Sequence, residues 1–236
     1  MPKNWAWAAL PIILLGVGLT VAANLGTEYR GYAFLGAMVV LGGELAVIGW
    51  LVNNRPIGAF IDNRNKISLS KLQAGAWTVV VLSALATIAV YNLLGQGDGG
   101  GTTDLEVNIP GELLLAMGIS ATSLVAAPAL LSLKSAGDND STLEVKDAPH
   151  DASWGDLVTG DELGNAAAPD LGKIQQVLIT LLLLGIYTGY VYMLLSSSEA
   201  PIHELPKLDD SFVWLLGISH AAYLSYKAVP HTPTAP

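Results

Sequence analysis

Long apolar runs alternate with short polar ones along this chain. Six of the runs, residues 5–24, 31–52, 74–94, 113–133, 174–196 and 211–229, approach or exceed the roughly 20 residues needed to cross a bilayer. The pattern predicts an all-α integral membrane protein with six transmembrane helices. The first run follows Met1-Pro2-Lys3-Asn4 and ends in Val21-Ala22-Ala23, small residues that would suit a signal-peptide cleavage site. We expect it to be retained as a helix. The chain then divides into two N-terminal helices (1–57), a two-helix unit (58–133), an acidic inner loop (134–167), a second two-helix unit (168–230) and a tail (231–236).

Within this pattern, Pro11 and the Gly16/Gly18 pair predict a kink in the first helix, and Gly36, Gly42, Gly43, Ala46 and Gly49 predict close packing by the second. The third helix has two candidate starts: Ser70 with Gln73 as a capping box, or Ser68 as N-cap. Residues 134–153 read as a solvated acidic linker, and Trp154, Leu157 and Val158 have the spacing of a short amphipathic helix. The glycine-rich stretch 95–108 lacks the ligand spacing of a calcium loop.

Composition agrees with the membrane reading. The chain is 52% hydrophobic and 13% charged, with a mean hydropathy of +0.48, where a soluble domain carries roughly a quarter charged residues. A net charge of −9 argues against nucleic-acid partners. With no cysteine there are no disulfides or thiolate ligands, and we expect neither metal nor cofactor. Placing the N-terminus in the cytoplasm puts Lys3, Arg55, Arg64, Lys66, Lys71, Lys134, Lys146, Lys173 and Lys227 inside and only Arg30 and Lys207 outside. That bias predicts both termini in the cytoplasm and location in a cytoplasmic (inner) membrane, multi-pass.

The two-helix units read as a parallel repeat. At an offset of 102, residues 68–82 match 170–184 at Leu69/Leu171, Lys71/Lys173, Gln73/Gln175, Thr78/Thr180 and Leu82/Leu184, with the N-cap types Ser68 and Asp170 also opposed. Gly118-Ile119-Ser120 matches Gly217-Ile218-Ser219 at an offset of 99. Two spans separate the copies, so both run the same way through the membrane. Gly118, Gly217, Gln73, Gln175, Thr78 and Thr180 are then candidate packing positions. Arg64, Lys66, Lys71, Lys173 and Trp154 are candidate contacts for lipid or a partner.

Four polar groups stand out inside the spans: Glu44, His220, Ser120 and Ser219. Counting along the helices puts Glu44 and His220 within about 10 Å in depth, as a hydrogen-bonded pair or an ion path would need. A Gly-x-Ser on the fourth helix and a His on the sixth resemble rhomboid intramembrane proteases, which implies Ser120 as nucleophile and His220 as base. The chain departs from that family at Ala121, where the family has glycine, and in lacking any His or Asn between 31 and 52.

Finally, "IDNRNKISLSKLQ", "GDELGNAAAPDLGKIQ" and the repeated "GIS" look like a group of bacterial polytopic membrane proteins, a resemblance over 58–230 that implies no activity. The leading expectation is a non-enzymatic membrane subunit, a scaffold or anchor that forms a homo-oligomer in the lipid bilayer and docks a cytoplasmic protein through its inner loops. A small-ion or proton channel or transport subunit using Glu44 and His220 is the alternative, and a rhomboid-like protease the third reading.

Overall fold

A computed structural model describes residues 5–94, 107–136, 143–197 and 201–229. Most of the 95–108 stretch and the 231–236 tail fall outside them. Among the described residues the architecture is all-helical, with six α-helices: α1 (Ala9–Leu25), α2 (Arg30–Asn53), α3 (Leu69–Leu94), α4 (Gly111–Ala136), α5 (Leu171–Ser197) and α6 (Asp210–Ala228). Four segments, Thr27–Asn53, Leu69–Leu94, Gly111–Lys134 and Leu171–Ser197, are long and apolar enough to cross a membrane; α1 is a shorter apolar helix. Outward faces of the helices are apolar, with Val39 of α2, Val125 of α4, Leu178 and Leu181 of α5 and Ile218 of α6 all exposed. Water would penalise such a surface and lipid does not.

The helix ends follow from local chemistry. Gly26 joins α1 to α2 at φ +136, a conformation open to glycine, and α2 stops at Asn54 in the left-handed region. Ser68 is the N-cap of α3, its hydroxyl accepting from the Lys71 amide at 3.4 Å, so the Ser70 capping box does not form. Asp170 caps α5 through the Lys173 amide (3.0 Å), and Asp209 caps α6 through Ser211 (2.9 Å).

In the packing, α2 lies against α1, α3 and α5, α3 against α4 and α5, and α6 against α4 and α5. Side chains on α3 are buried at 70, 73, 77, 80, 84, 88 and 92, and on α5 at 173, 176, 180, 183, 187, 191 and 195. Steps of three and four keep these positions on one face of each helix, the face that packs against neighbouring helices. The core they enclose centres on Phe34, Trp77, Ile88, Leu183, Tyr187 and Leu216, with the Trp77 and Tyr187 rings 5.9 Å apart.

One end of the bundle is closed by two extended segments. The Asn108 amide donates to the His203 carbonyl and the Leu205 amide to the Asn108 carbonyl, while the Asn92 side chain brackets Ile202 (2.7 and 3.1 Å). The other end carries a folded cap made of residues 55–68 and 143–170. A 3-10 turn at Pro56–Phe60 is pressed onto α2 where Gly49 and Gly58 meet: a Cβ on Gly58 would lie 2.3 Å from the Gly49 carbonyl oxygen. Residues 143–153, expected as a solvated linker, are built into this cap. The Arg55 guanidinium donates to the carbonyls of Pro149, His150 and Ala152 at 2.8–3.0 Å. The expected amphipathic helix at 154–158 is only a 3-10 turn, Trp154–Leu157, with Leu157 buried and Trp154 exposed.

Two parts of the cap share one construction. Ile61 bridges Ile67, Ser68 caps α3 and donates its amide to the Phe60 carbonyl, and Lys71 donates its ammonium to the Ile61 carbonyl (2.7 Å). Thr159 bridges Pro169, Asp170 caps α5 and donates its amide to the Val158 carbonyl, and Lys173 donates its ammonium to the Thr159 carbonyl (2.6 Å). Ile67/Pro169, the caps Ser68/Asp170 and the lysines Lys71/Lys173 thus coincide at the offset of 102, while the facing bridge residues Ile61 and Thr159 are 98 apart, the second loop being four residues longer.

Beyond that first turn the register differs by one residue. The buried positions of α5 match those of α3 at an offset of 103, from Gln73/Gln176 and Trp77/Thr180 through Asn92/Leu195. Those of α6 match α4 at 100, as in Leu113/Val213, Ala116/Leu216 and Ser120/His220. One residue is about 100° of helix rotation, so equivalent letters face different surroundings. Gln73 and Thr180 are buried, but Gln175 and Thr78 are exposed. The α3–α5 contact uses Gln176 instead: Gln73 Nε2 donates to Thr180 Oγ1 (2.6 Å) and Gln176 Nε2 to Gln73 Oε1 (3.1 Å).

Candidate functional site

The densest polar cluster is at the cap. Asp161, from the second bridged loop, receives Arg64 (2.9 Å) from the first loop, Lys173 (3.2 Å) from the start of α5 and Lys227 (3.0 Å) from the end of α6. Arg64 also pairs with Asp62 at 3.0 Å. Around this centre Lys66 pairs with Glu144 and donates to the Gly160 carbonyl (2.8 Å), Lys146 pairs with Asp156 (2.6 Å), and Lys134 pairs with Glu162 (2.6 Å). Lys227 donates to the Tyr223 hydroxyl (2.7 Å), one turn back on the same helix.

The electrostatics follow from this geometry. Burial alone would push the Asp161 carboxyl up, but Lys227, Lys173 and Arg64 outweigh it and hold the group far below the usual carboxylate range. Burial likewise opposes the charge on Arg64, yet Asp161 and Asp62 leave its pKa raised. Asp156 is lowered against burial by the Lys146 hydrogen bond and by the amides of Ser153 and Ile67. Asp62, Asp156 and Asp161 each accept from several donors, the condition under which a buried network holds rather than strains.

A partly open cavity of about 830 Å³ adjoins the cluster. Arg64, Lys71, Lys173, Lys227, Asp62, Asp161 and Tyr223 form its polar wall, and Leu124, Ala127 and Leu131 of α4, with Ile67, Leu143 and Val145, its apolar wall. Pro128 also lines it. It lacks the N–H that would bond the Leu124 carbonyl, which loosens α4 at this depth.

The second polar feature lies within the bundle between α4 and α6. His220 Nδ1 is hydrogen bonded to Ser123 Oγ. The buried hydroxyls of Ser120 and Ser219 and His220 Nε2 have no protein partner. A Ser120–His220 catalytic pair is therefore not assembled. Nor are Glu44 and His220 hydrogen bonded: α2 packs on α1, α3 and α5, and Glu44 Oε2 is buried without a protein partner. Gly118 is exposed with open space beside it, so it is not a close-contact point, while Gly217 meets Ile119 at ordinary distance (3.7 Å). Gly36, Gly42 and Gly43 also face open space, leaving Gly49 as the α2 glycine in that group whose backbone approach requires it.

Of the predicted lipid or partner contacts, Arg64, Lys66 and Lys173 are instead buried in the ion cluster, Lys66 being 1% exposed. Lys71 is half-buried on the cavity wall, and Trp154 is 59% exposed. Sequence reasoning missed Asp161, Asp62, Lys227, Tyr223 and Ser123. Ser123 is legible as the residue three after Ser120 on one helix face, and Lys227 as the residue four after Tyr223. Asp161 carried no local signal, because its partners come from three distant segments. No protein family, curated protein or solved structure matches this chain.

Proposed function

We propose that the chain is a non-enzymatic, six-span membrane subunit of a cytoplasmic membrane that presents its cap as a rigid platform for a cytoplasmic protein. The carrying observation is the Asp161 cluster, which ties the loops 61–68 and 143–170 to the ends of α5 and α6 and leaves Val145, Trp154 and Leu163 exposed on the cap. The positive-inside bias of nine cations to two directs the cap and both termini to the cytoplasm. Exposed rings at the two ends of the bundle, Tyr32, Tyr190 and Trp214 at one and Trp50, Trp154 and Tyr226 at the other, have the placement of interfacial anchors. The matching bridge, cap and lysine of α3 and α5 support a parallel two-helix repeat.

The test is purification from native membranes in mild detergent, with the mass of the complex measured. The scaffold reading expects a complex heavier than the chain's own oligomer, whose added protein is lost in Trp154→Ala/Leu163→Ser while the cap stays protected from protease. Recovery of the chain without any added protein, together with ion flux in proteoliposomes that disappears in Glu44→Gln, would overturn it in favour of transport.

A further inference from the structure

The cavity beside Asp161 has a polar end and an apolar end, and its charge is not balanced. Four cations line it, Arg64, Lys71, Lys173 and Lys227, against two carboxylates, Asp62 and Asp161. Three of the cations are committed to those carboxylates. Lys71 is not: its ammonium donates to the Ile61 carbonyl and forms no ion pair with any described residue. Placing an unneutralised ammonium at a half-buried wall costs free energy unless an anion or water meets it.

The apolar wall gives the direction. Leu124, Ala127 and Leu131 sit on one face of α4 at steps of three and four, so they form a continuous strip along the cavity. Leu124 precedes Lys134, near the end of α4, by ten residues, about 15 Å of helix. The cavity therefore runs from the charged cap toward the depth of acyl chains. A volume of about 830 Å³ lies within the range of roughly 300–1,000 Å³ of ligand pockets.

We propose that this cavity binds an amphiphile of the adjoining leaflet whose phosphate headgroup carries net negative charge, its phosphate on Lys71 and the neighbouring Arg64–Lys227 edge and its chain along Leu124, Ala127 and Leu131. A small soluble anion would use the cations but leave the apolar strip uncovered, and a neutral lipid would use the strip but not the cations. The two halves together select an anionic lipid. The site does not depend on the platform reading, since a lipid can be held whether or not a protein docks on the cap.

The experiment is native mass spectrometry of the full chain from mixed micelles supplied with phosphatidic acid or phosphatidylcholine, with inorganic phosphate as the soluble probe. Variants are Lys71→Met, which leaves the Asp161 cluster intact, and Ala127→Phe, which fills the apolar strip. Folding of each is checked by circular dichroism and by thermal unfolding. The expected result is an adduct of phosphatidic acid that survives activation stripping phosphatidylcholine, weakened about tenfold in Lys71→Met and also lost in Ala127→Phe. Equal retention of the two lipids overturns the proposal, as does an adduct unchanged in both folded variants. Displacement of the lipid by inorganic phosphate, with phosphate binding unaffected by Ala127→Phe, overturns the amphiphile in favour of a soluble phosphate.

Discussion

Asp161→Asn is the sharpest test of the cap. The side chain keeps its size but loses the charge that Arg64, Lys173 and Lys227 share at 2.9–3.2 Å. Removing one partner of a buried ion pair costs about 3–5 kcal/mol, because the other is left uncompensated. Here the low end applies: Arg64 keeps Asp62, Lys227 keeps the Tyr223 hydroxyl and Lys173 keeps the Thr159 carbonyl. A loss of about 3 kcal/mol raises the population of the open cap by roughly two orders of magnitude. Two amides report it directly, since Glu144 donates to the Asp161 carbonyl (2.9 Å) and Lys146 to the Arg64 carbonyl (3.0 Å). Hydrogen exchange at these amides in micelles should accelerate by about that factor, while amides at the opposite end, such as Ile202, stay unchanged. The sign with pH also follows. A carboxyl depressed in the folded state contributes its full stability above its ordinary value of 3.8 and loses it as pH falls below that toward the folded value. The Asp161 share of the protection should thus be constant from neutral pH to about pH 5 and fall only in stronger acid. Exchange in Asp161→Asn within a few-fold of the parent chain would refute the cluster as the lock.

Three further outcomes test the packing. Gly58→Ala should destabilise by about 2 kcal/mol, since its Cβ would press on the Gly49 backbone, whereas Gly43→Ala, with open space, should not; denaturant midpoints in one detergent compare them. Gln73→Ala should cost about 1–3 kcal/mol by stranding Thr180 and Gln176, and Gln175→Ala close to nothing; equal effects would refute the one-residue register shift. Arg55→Ala removes the donor shared by three carbonyls and should expose 149–152 to protease several-fold faster, read by limited proteolysis and mass mapping.

The repeat shows where sequence reading reaches its limit. The alignment paired the identical Lys71 and Lys173 and set the N-cap types Ser68 and Asp170 opposite each other, and the structure gives those residues matching backbone roles, because caps act through neighbours in sequence. The same alignment paired Gln73 with Gln175 and Ser120 with Ser219. Of the first pair only Gln73 is buried; Ser219 is buried like Ser120, but it is His220 that falls opposite Ser120 when the buried faces are superposed. Which face of a uniformly apolar helix is inward depends on its neighbours. In lipid the hydrophobic pattern cannot show it, since the outward face is as apolar as the inward one.

By itself, the sequence determined that the chain is helical, where its apolar helices lie, which few residues could cap α3 and that its cations concentrate in some polar segments and not others. Those properties follow from composition, span length and contacts a few residues apart. Only the tertiary structure decided that Lys66 and Lys173 point into a cap rather than to lipid, that His220 meets Ser123 rather than Glu44, and that Asp161 is the centre of that cap. Arg64, Asp161, Lys173 and Lys227 come from four separated stretches of chain. A buried charge requires its partners in space, and nothing along the chain marks them until the helices bring them within 3.2 Å.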